Sequence, residues 1–418
     1  LALAAMGAFA GAAQAQSSVT VYGILDVGFQ GVTQRGLATS ATSTAVQSPT
    51  AAGKSNQTRF SGEGAESTSR LGFRGTEDLG GGTRAFFTIE FALNPTDATL
   101  SGNAGNGLAN RQTFVGLGQK GIGQFAIGTQ YTPVHLAVGR TDPGQQNNMV
   151  GNVIYATNAS QGSGQTATSY TVRYNNALTV QTDRFSGVQL YGIYNNNNTD
   201  VNQLTSCTTG TTTNFACGGN TNNIAYGAGL NFVLQKLNVD AAFNASQSVN
   251  WTAQATTGPA FPASASTAAI SLPANVLGSN IAMAQQYYGA TYDFGPVKVY
   301  GQYLSSKYSS LAAPSIYVQR TAQQIGVRGF VTKTIEGWAS AGTGRIQGLN
   351  LAQNSVSSAL NNASSATQDF TGYQLGANYW LSKRTNAYAI FGSTQVSSSS
   401  VAYSEGASSY GIGVRHTF

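Results

Sequence analysis

The chain has 418 residues, only 9% of them charged, and 21 basic residues against 15 acidic ones give a net charge of +6. Globular proteins usually have about 25% charged residues, so this composition is unusual for a soluble enzyme or regulator. The Lys and Arg residues are dispersed, which argues against nucleic-acid binding. Gly (51), Tyr (20) and Phe (19) are abundant instead, a mixture typical of strands with aromatic girdles and a polar interior.

The first fifteen residues, LALAAMGAFAGAAQA, are small and apolar and end in the A-x-A pattern from Ala13 to Ala15. This pattern predicts a secretory signal peptide that is cleaved before Gln16. The alternative, an N-terminal membrane anchor, needs about 20 apolar residues. We therefore expect residues 16–418 to form a single domain beyond the inner membrane.

Downstream of the signal, apolar residues recur at every second position in segments of about ten residues, the period of a β-strand. Nothing in this part of the sequence resembles a transmembrane helix. The predicted strands, sixteen in number, are 18–30, 66–76, 82–93, 110–118, 123–131, 169–176, 186–195, 223–233, 236–247, 284–294, 296–307, 321–331, 335–347, 369–380, 384–396 and 407–418.

The connections between these segments alternate strictly between short and long. The short ones carry Gly, Pro, Asp or Asn in several cases, which suit tight turns, and 176–185 is a longer member of that set. The long ones are 31–65, 94–109, 132–168, 196–222, 248–283, 308–320, 348–368 and 397–406. This asymmetry is typical of a transmembrane β-barrel with short periplasmic turns and long external loops. The sequence therefore predicts an all-β fold, a 16-stranded antiparallel barrel.

The last predicted strand alternates up to the terminal Phe418. Tyr410, Ile412 and Val414 fall on its apolar face, and Arg415 falls on the polar one. A soluble β-sandwich would show the same alternation. The even strand number favours the barrel, because segment 18–30 can then pair with 407–418 and remove both sheet edges.

Strand parity also assigns charged side chains to the lumen. An arginine on the lipid face would cost about 2–4 kcal/mol near mid-membrane, so arginines on the polar parity are expected inside. These candidates for lining the pore are Arg70, Arg74, Arg84, Glu90, Arg173 and Arg328. Two interpretations remain open: the arginines solvate the interior and pair with carboxylates, or they form a positive ladder at a constriction.

Other chemically distinctive residues are few. Cys207 and Cys217 lie in a Thr/Asn/Gly-rich segment, where a loop disulfide is expected after export, because neither has a nearby His or carboxylate for metal or nucleophile chemistry. Trp338 and Trp380 are expected in an interfacial girdle.

Catalysis and cofactor binding have no support. Only His135 and His416 could act as a histidine base, and neither has a recognisable Ser/Asp setting. No metal spacing, phosphate loop or dinucleotide fingerprint is present. We therefore expect no enzymatic activity, no metal and no cofactor.

Several runs resemble the Gram-negative general porins of the betaproteobacterial type. They are SVTVYGILD at 18–26, SRLGFRGTEDLGGG at 69–82, RQTFVGL at 111–117, GTQYTP at 128–133, LSKRT at 381–385 and VRHTF at 414–418. The resemblance implies a sixteen-stranded homotrimer in the outer membrane that lets small hydrophilic solutes and ions diffuse passively, often with a preference for anions. It also implies that Phe418 is an assembly signal, read by the barrel-insertion machinery.

In that family the third long loop, here 132–168, folds into the lumen and narrows it opposite a basic wall. The positions of this sequence that match the basic wall are Arg70, Arg74 and Arg173, and Arg59 is a weaker match. The sequence departs from the family at Thr129 and Thr417, where basic residues are usual.

The third loop has a single carboxylate, Asp142, which is also expected to line the pore at the constriction; it lies beside Arg140 and His135. A loop so poor in acid tilts the expected selectivity further towards anions. The alternatives are a substrate-specific channel and, in a different class, an adhesin that uses the long loops. The expected partners are the other two copies of a homotrimer, outer-membrane lipid, the insertion machinery, and small solutes and anions, with no nucleic acid.

Overall fold

The computed structural model describes residues 18–37, 53–101, 107–157, 169–207, 215–250, 260–261, 270–271, 281–311, 314–349, 365–398 and 403–418. Nearly all of them form one closed antiparallel sheet, and residues of one short helix, α1 (Pro133–Thr141), lie inside it. Among the described residues, no helix has the length and apolar character needed to cross a membrane. The predicted signal peptide, 1–15, falls outside the described residues.

The strands follow one another around the wall in chain order. They are β1 (Ser18–Leu37), β2 (Gly53–Ser61), β3 (Arg70–Gly80), β4 (Thr83–Ala92), β5 (Asn110–Gln119), β6 (Gly123–Tyr131), β7 (Arg173–Thr182), β8 (Val188–Cys207), β9 (Phe215–Leu234), β10 (Leu237–Asn250), β11 (Ala260–Phe261), β12 (Ile270–Ser271), β13 (Ile281–Asp293), β14 (Lys298–Ser310), β15 (Tyr317–Phe330), β16 (Ile335–Leu349), β17 (Ser365–Trp380), β18 (Thr385–Ser398) and β19 (Tyr403–Thr417). The two-residue strands β11 and β12 pair only with each other.

The first strand closes the barrel by pairing on both sides. Its residues 24–35 pair with β19, so that Ile24 lies opposite Thr417. On the other side, its first part pairs with β3 and its second part with β2. The main sheet therefore has 17 strands in 16 wall positions, as expected. The pairing of β1 with β19 closes the wall on itself, which is what hydrocarbon surroundings require.

Burial in this barrel is inverted relative to a soluble protein. Polar side chains such as Gln285, Gln324 and Gln374 are fully buried on the inner face, while Val115 and Ile325 are well exposed on the outer one. Exposed apolar bands suit lipid, and a polar interior suits water. The lipid-facing assignment of Tyr410, Ile412 and Val414 agrees with their exposure.

Three strand assignments from the sequence need correction. The predicted loop 31–65 contains the second half of β1 and all of β2, and the predicted loop 196–222 contains the ends of the hairpin β8–β9. Strands that extend beyond the lipid need no apolar face, so their composition resembles that of loops. The predicted turn 176–185 is instead largely β7, which contains a bulge at Asn176, where φ is 52°.

The predicted girdle role of Trp338 and Trp380 is also wrong. Trp338 is buried inside the barrel in a cluster with Ala65, Met149 and Tyr388. The indole N–H of Trp380 donates to the inward-facing Glu336 at 3.2 Å. Both residues lie on the polar parity of their strands, so their side chains face the lumen.

Candidate functional site

The segment after β6 turns into the barrel and lies against its inner faces. We call its described part, residues 132–157, the inner loop. Thr132 caps α1, since its Oγ1 accepts the N–H of His135, and Pro133 occupies the first turn, where its missing N–H is tolerated. The helix packs against β8, β9, β10, β13 and β14. Residues 158–168 of the predicted third loop fall outside the described residues.

The inner loop is attached to the wall by an apolar core and by amide hydrogen bonds. Val134, Val138 and Ile154 are fully buried against wall residues that include Tyr287, Leu304, Ile346 and Phe370. Asn147 Nδ2 donates to Gln374 Oε1 at 2.9 Å, and the N–H of Val153 donates to Gln324 Oε1 at 3.1 Å. These contacts fix the loop on one side of the lumen.

Three glycines let the loop backbone pass close to β17 and β18. A Cβ on Gly392 would overlap the carbonyl oxygen of Val150, and one on Gly372 would lie 2.5 Å from the carbonyl oxygen of Gly151. Gly151 itself has a φ of 104°, which L residues rarely adopt. Only glycine fits at these three contacts without moving the loop.

A cavity of about 130 Å³ remains between the inner loop and the opposite wall. Its wall side carries three arginines, and its loop side carries aromatic rings and two amides. The lining residues are Ser67, Thr68, Arg70, Arg111, Tyr131, His135, Gln145, Gln146, Tyr155 and Arg173. The structure thus brings Arg70 and Arg173, predicted from the sequence, together with Arg111.

The three arginines have different partners. Arg111 Nε donates to Glu90 Oε1 at 2.8 Å, and its Nη2 donates to the hydroxyl of Tyr131 at 2.9 Å. Arg70 donates only to neutral oxygens, the carbonyl of Thr68 and the hydroxyl of Ser67. Within the described residues, Glu90 is the one carboxylate in ion-pair contact with any of the three.

Arg173 is the least satisfied of the three. Its guanidinium lies 5.1 Å from the ring centroid of Tyr131, and its buried Nε has no hydrogen-bond partner among the described residues. Three guanidinium groups thus face one carboxylate, an excess of two positive charges beside the cavity. Such an arrangement attracts anions.

The loop side of the cavity is polar but uncharged. His135 stacks on Tyr131 with centroids 4.4 Å apart. Burial, helped by the charges of Arg173, Arg111 and Arg70, holds the pKa of His135 well below its usual range. The imidazole therefore stays neutral near pH 7.

Two consecutive glutamines supply the amides. Gln145 and Gln146 have φ values of 55° and 57°, a left-handed conformation that costs non-glycine residues about 1–3 kcal/mol each. The carboxylate of Asp142 stabilises it by accepting the N–H of Gln146 at 2.6 Å. This turn directs both residues to the cavity lining.

Asp142 and Arg328, both predicted to line the pore, hold the inner loop instead. Asp142 is buried and also accepts hydrogen bonds from Asn152 and Gln324 at 2.9 and 3.2 Å. Burial raises the pKa of Asp142, and the hydrogen bonds from Gln146 and Asn152 lower it in part. Arg328 makes two hydrogen bonds to Glu336, at 2.6 and 2.8 Å, and its Nη1 donates to the carbonyl of Pro143.

The remaining arginines predicted for the pore lie away from the cavity. Arg74 is exposed, with its guanidinium 5.3 Å from the ring centroid of Tyr22. Arg84 donates to Gln124 at 2.8 Å near the turn between β3 and β4. Arg59 is exposed on β2, opposite Gln30 of β1.

Strand parity missed Arg111 because β5 has a bulge there. Glu90 pairs with Gln112 and Phe91 with Asn110, which leaves Arg111 as an extra residue between them. A bulge redirects side chains, so Arg111 is buried on the inside although Val115, four residues on, is exposed outside. The loop residues Gln145 and Gln146 had no sequence signal beyond their polarity.

The remaining chemical predictions concern cysteines and metals. The side chains of Cys207 and Cys217 fall outside the described residues, so their disulfide stays a prediction. Within the part of the chain that the structure describes, no group of three His, Cys, Asp or Glu side chains is placed to hold a metal ion.

Comparisons with known proteins agree with this architecture. The family profile for Gram-negative porins matches residues 2–399. An outer membrane porin protein of Bordetella pertussis is 29% identical over 100% of this chain and 99% of that protein. Outer membrane porin protein 32 of Delftia acidovorans is 44% identical over 103 residues, 24% of each chain.

Solved structures share the fold at lower identity. The anion-selective porin from Comamonas acidovorans aligns with a TM-score of 0.63 at 18% identity, over 96% of this chain and 100% of that one. The trimer form of OmpT of Vibrio cholerae aligns with a TM-score of 0.54 at 12% identity, over 96% and 99%. A closed barrel with a polar interior, matched by the family profile along nearly its whole length, places the chain in the Gram-negative porin family as a channel of the outer membrane.

Proposed function

We propose that this porin is a general diffusion channel that prefers anions, with Arg70, Arg111 and Arg173 as the groups that set the preference. The observation that carries this proposal is the excess of positive charge beside the cavity, where only Arg111 has a carboxylate partner among the described residues. Basic side chains in a narrow wet passage raise the local concentration of anions. The anion-selective porin among the structural relatives supports the same direction.

The inner loop, as part of 132–168, narrows the passage and leaves anions to cross beside the arginines. Its attachment through an apolar core supports a fixed constriction rather than a mobile one. Because the loop residues at the cavity are neutral, no opposing acidic wall draws cations to the same place. Transport then depends on size and charge and involves no chemical step.

The reversal potential of planar bilayers under a KCl gradient tests the selectivity. We expect Arg70→Gln with Arg173→Gln to shift the channel strongly towards cations, because these two lack carboxylate partners among the described residues. Arg111→Gln should shift the selectivity less, because the carboxylate of Glu90 already neutralises the charge of Arg111. A matched control is Arg84→Gln with Arg345→Gln, which removes the same charge away from the cavity. An unchanged anion-to-cation ratio in the first variant would overturn the proposal.

Single-channel conductance separates a general channel from a substrate-specific one. A general channel should conduct roughly in proportion to salt concentration. A substrate-specific channel would show currents that saturate and are blocked by its ligand. Saturation below physiological salt would therefore contradict general diffusion.

We further propose a homotrimer, supported by the trimer form of the related OmpT fold. Recognition by the insertion machinery is proposed for Phe418, whose N–H and carbonyl both hydrogen-bond to the backbone of Gly23. Electrophoresis of unheated samples should show a heat-sensitive trimer band. Phe418→Ala should slow the appearance of that band in cells, and unaltered assembly kinetics would contradict the proposed signal.

A further inference from the structure

The short turns at the periplasmic end carry an unusual set of side chains. Turns in water are normally polar, yet each of the seven turns joining barrel strands within the described residues has a large apolar residue that is 51–78% exposed. These residues are Leu79, Ile122, Phe185, Leu234, Phe294, Val331 and Leu381. Their recurrence at one end of the barrel indicates a shared environment.

Contacts place two of these side chains, those of Phe294 and Val331, on the outer surface of the barrel. Phe294 packs on the outward-facing Tyr292 with ring centroids 4.7 Å apart. The side chain of Val331 lies 3.9 Å from the position of a Cβ on Gly337, which is on the outward parity of β16. The turns therefore present apolar groups to the rim of the lipid layer, where hydrocarbon gives way to headgroups.

Five of the turns carry exposed basic side chains that make no ion pair within the described residues. Lys120 and Arg184 lie beside Asp183, which accepts the N–H of Gly121, whereas the other three turns contain no carboxylate. In these three turns, the basic residues Lys236, Lys333, Lys383 and Arg384 each lie within three residues of an exposed apolar side chain: Leu234, Val331 or Leu381. We call these four basic residues and their three apolar neighbours the basic arc.

Acidic residues in the other turns have a different role. Asp78, Asp183 and Asp293 each accept the N–H of a turn glycine, at 2.9, 2.6 and 2.7 Å. They shape the turns, and none lies in the three turns of the basic arc. The basic arc therefore has a net positive charge next to apolar side chains, whereas the turn with Glu77 and Asp78 is acidic.

We propose that the basic arc binds anionic phospholipid headgroups in the periplasmic leaflet. A Lys or Arg side chain is attracted to an anionic lipid surface, and the neighbouring Leu and Val side chains enter the acyl boundary while the charged ends extend to phosphate. Charge complementarity selects this occupant over zwitterionic lipid. Because the turn with Glu77 and Asp78 is acidic, anionic lipids should bind on the side of the barrel that carries the basic arc rather than at that turn.

Native mass spectrometry of the detergent-solubilised porin, titrated with phosphatidylglycerol or phosphatidylcholine, tests the proposal. We expect the wild type to retain several-fold more phosphatidylglycerol. The variant K236Q/K333Q/K383Q/R384Q should lose most of that difference. The matched control R35Q/K54Q/K307Q/R345Q removes the same charge from the external half of the barrel. This control should keep the wild-type preference for phosphatidylglycerol.

Equal retention of the two lipids by the wild type would overturn the proposal, and so would an equal loss in the control. The heat-dependent shift in gel mobility verifies that each variant is folded. If the fourfold variant does not fold, the salt dependence of the wild type serves instead. An electrostatic site loses its phosphatidylglycerol preference between low and high salt, whereas a preference independent of salt would contradict it.

Discussion

The arginine wall and the inner loop face each other across the cavity, but their charged groups have different partners. On the wall, Arg70 and Arg173 lack carboxylate partners among the described residues. On the loop, Arg140 pairs with Asp240 at 2.6 Å, and Asp142 is enclosed by hydrogen-bond donors. Charge on the loop stabilises its position, whereas charge on the wall remains available to ions.

The comparison teaches that position and selectivity are separable in this lumen. Contacts that hold the loop should affect stability and conductance, and groups that face the cavity should affect selectivity with little effect on stability.

Arg140→Met should destabilise the barrel most. Asp240 is fully buried, and without Arg140 its carboxylate keeps neutral partners among the described residues: Tyr191, Asn231 and Asn238. Loss of one partner of a buried pair costs about 3 kcal/mol. Urea unfolding, followed by gel mobility, measures this loss in the free energy of unfolding. The control Arg345→Met breaks the exposed pair with Asp369 and should cost about 0–1 kcal/mol; equal losses would contradict the anchoring role of Arg140.

Gly392→Ala should displace the inner loop. The new Cβ would overlap the carbonyl oxygen of Val150, and overpacking of this kind costs about 1–3 kcal/mol. We expect a changed single-channel conductance together with a lower unfolding midpoint. Gly301→Ala is the control, because nothing lies within 4 Å of its added Cβ. Wild-type conductance in G392A would show that the loop does not define the passage.

Gln145→Glu should reduce the anion preference while leaving stability nearly unchanged. The substitution adds a carboxylate to the neutral side of the cavity, opposite the arginines. The reversal potential should move towards cations at about 0.1 M salt and much less at about 1 M, where charges are screened over roughly 3 Å. Gln145→Ala, which adds no charge, should keep the wild-type selectivity. A shift of equal size in both variants would refute the electrostatic explanation.

The smallest expected effect concerns His135. Its lowered pKa means that the folded protein keeps the ring neutral. The unfolded chain takes up the proton first, so stability falls as pH drops below the ordinary histidine pKa towards the lower folded-state pKa. Selectivity should therefore be flat between about pH 5 and 8, the range in which an ordinary histidine titrates. His135→Gln should give the same flat profile. A step in the wild type that is absent in the variant would contradict this expectation.

The sequence predicted the barrel and its strand number because lipid and water impose opposite demands on alternate residues. The same rule placed Arg70 and Arg173 inside. It failed at Arg111, because a bulge in β5 shifts the parity by one residue. Such a shift depends on the register with β4 and is not visible within β5 alone.

Tertiary contacts account for the other differences. Asp142 reads as a charge in a polar loop, but Asn152 and Gln324 enclose it after the loop has docked. The composition of β2 predicts a loop because this strand needs no apolar face. Trp338 alone predicts a girdle residue because its inward packing against the loop depends on distant residues. In each case the deciding partner is far away in the sequence.

The pairing of β1 with β19 has a consequence for assembly. It joins Ile24 to Thr417, so the contact that completes the wall is also among the longest in sequence separation. Contacts of that kind form slowly, since they require a large loop to close. Until this pairing is made, the backbone groups of β1 and β19 lack partners along one side, and such groups are costly in hydrocarbon. A chain that lost β19 would therefore be an open sheet with two unpaired edge strands, which could pair with other chains, rather than a slightly smaller channel.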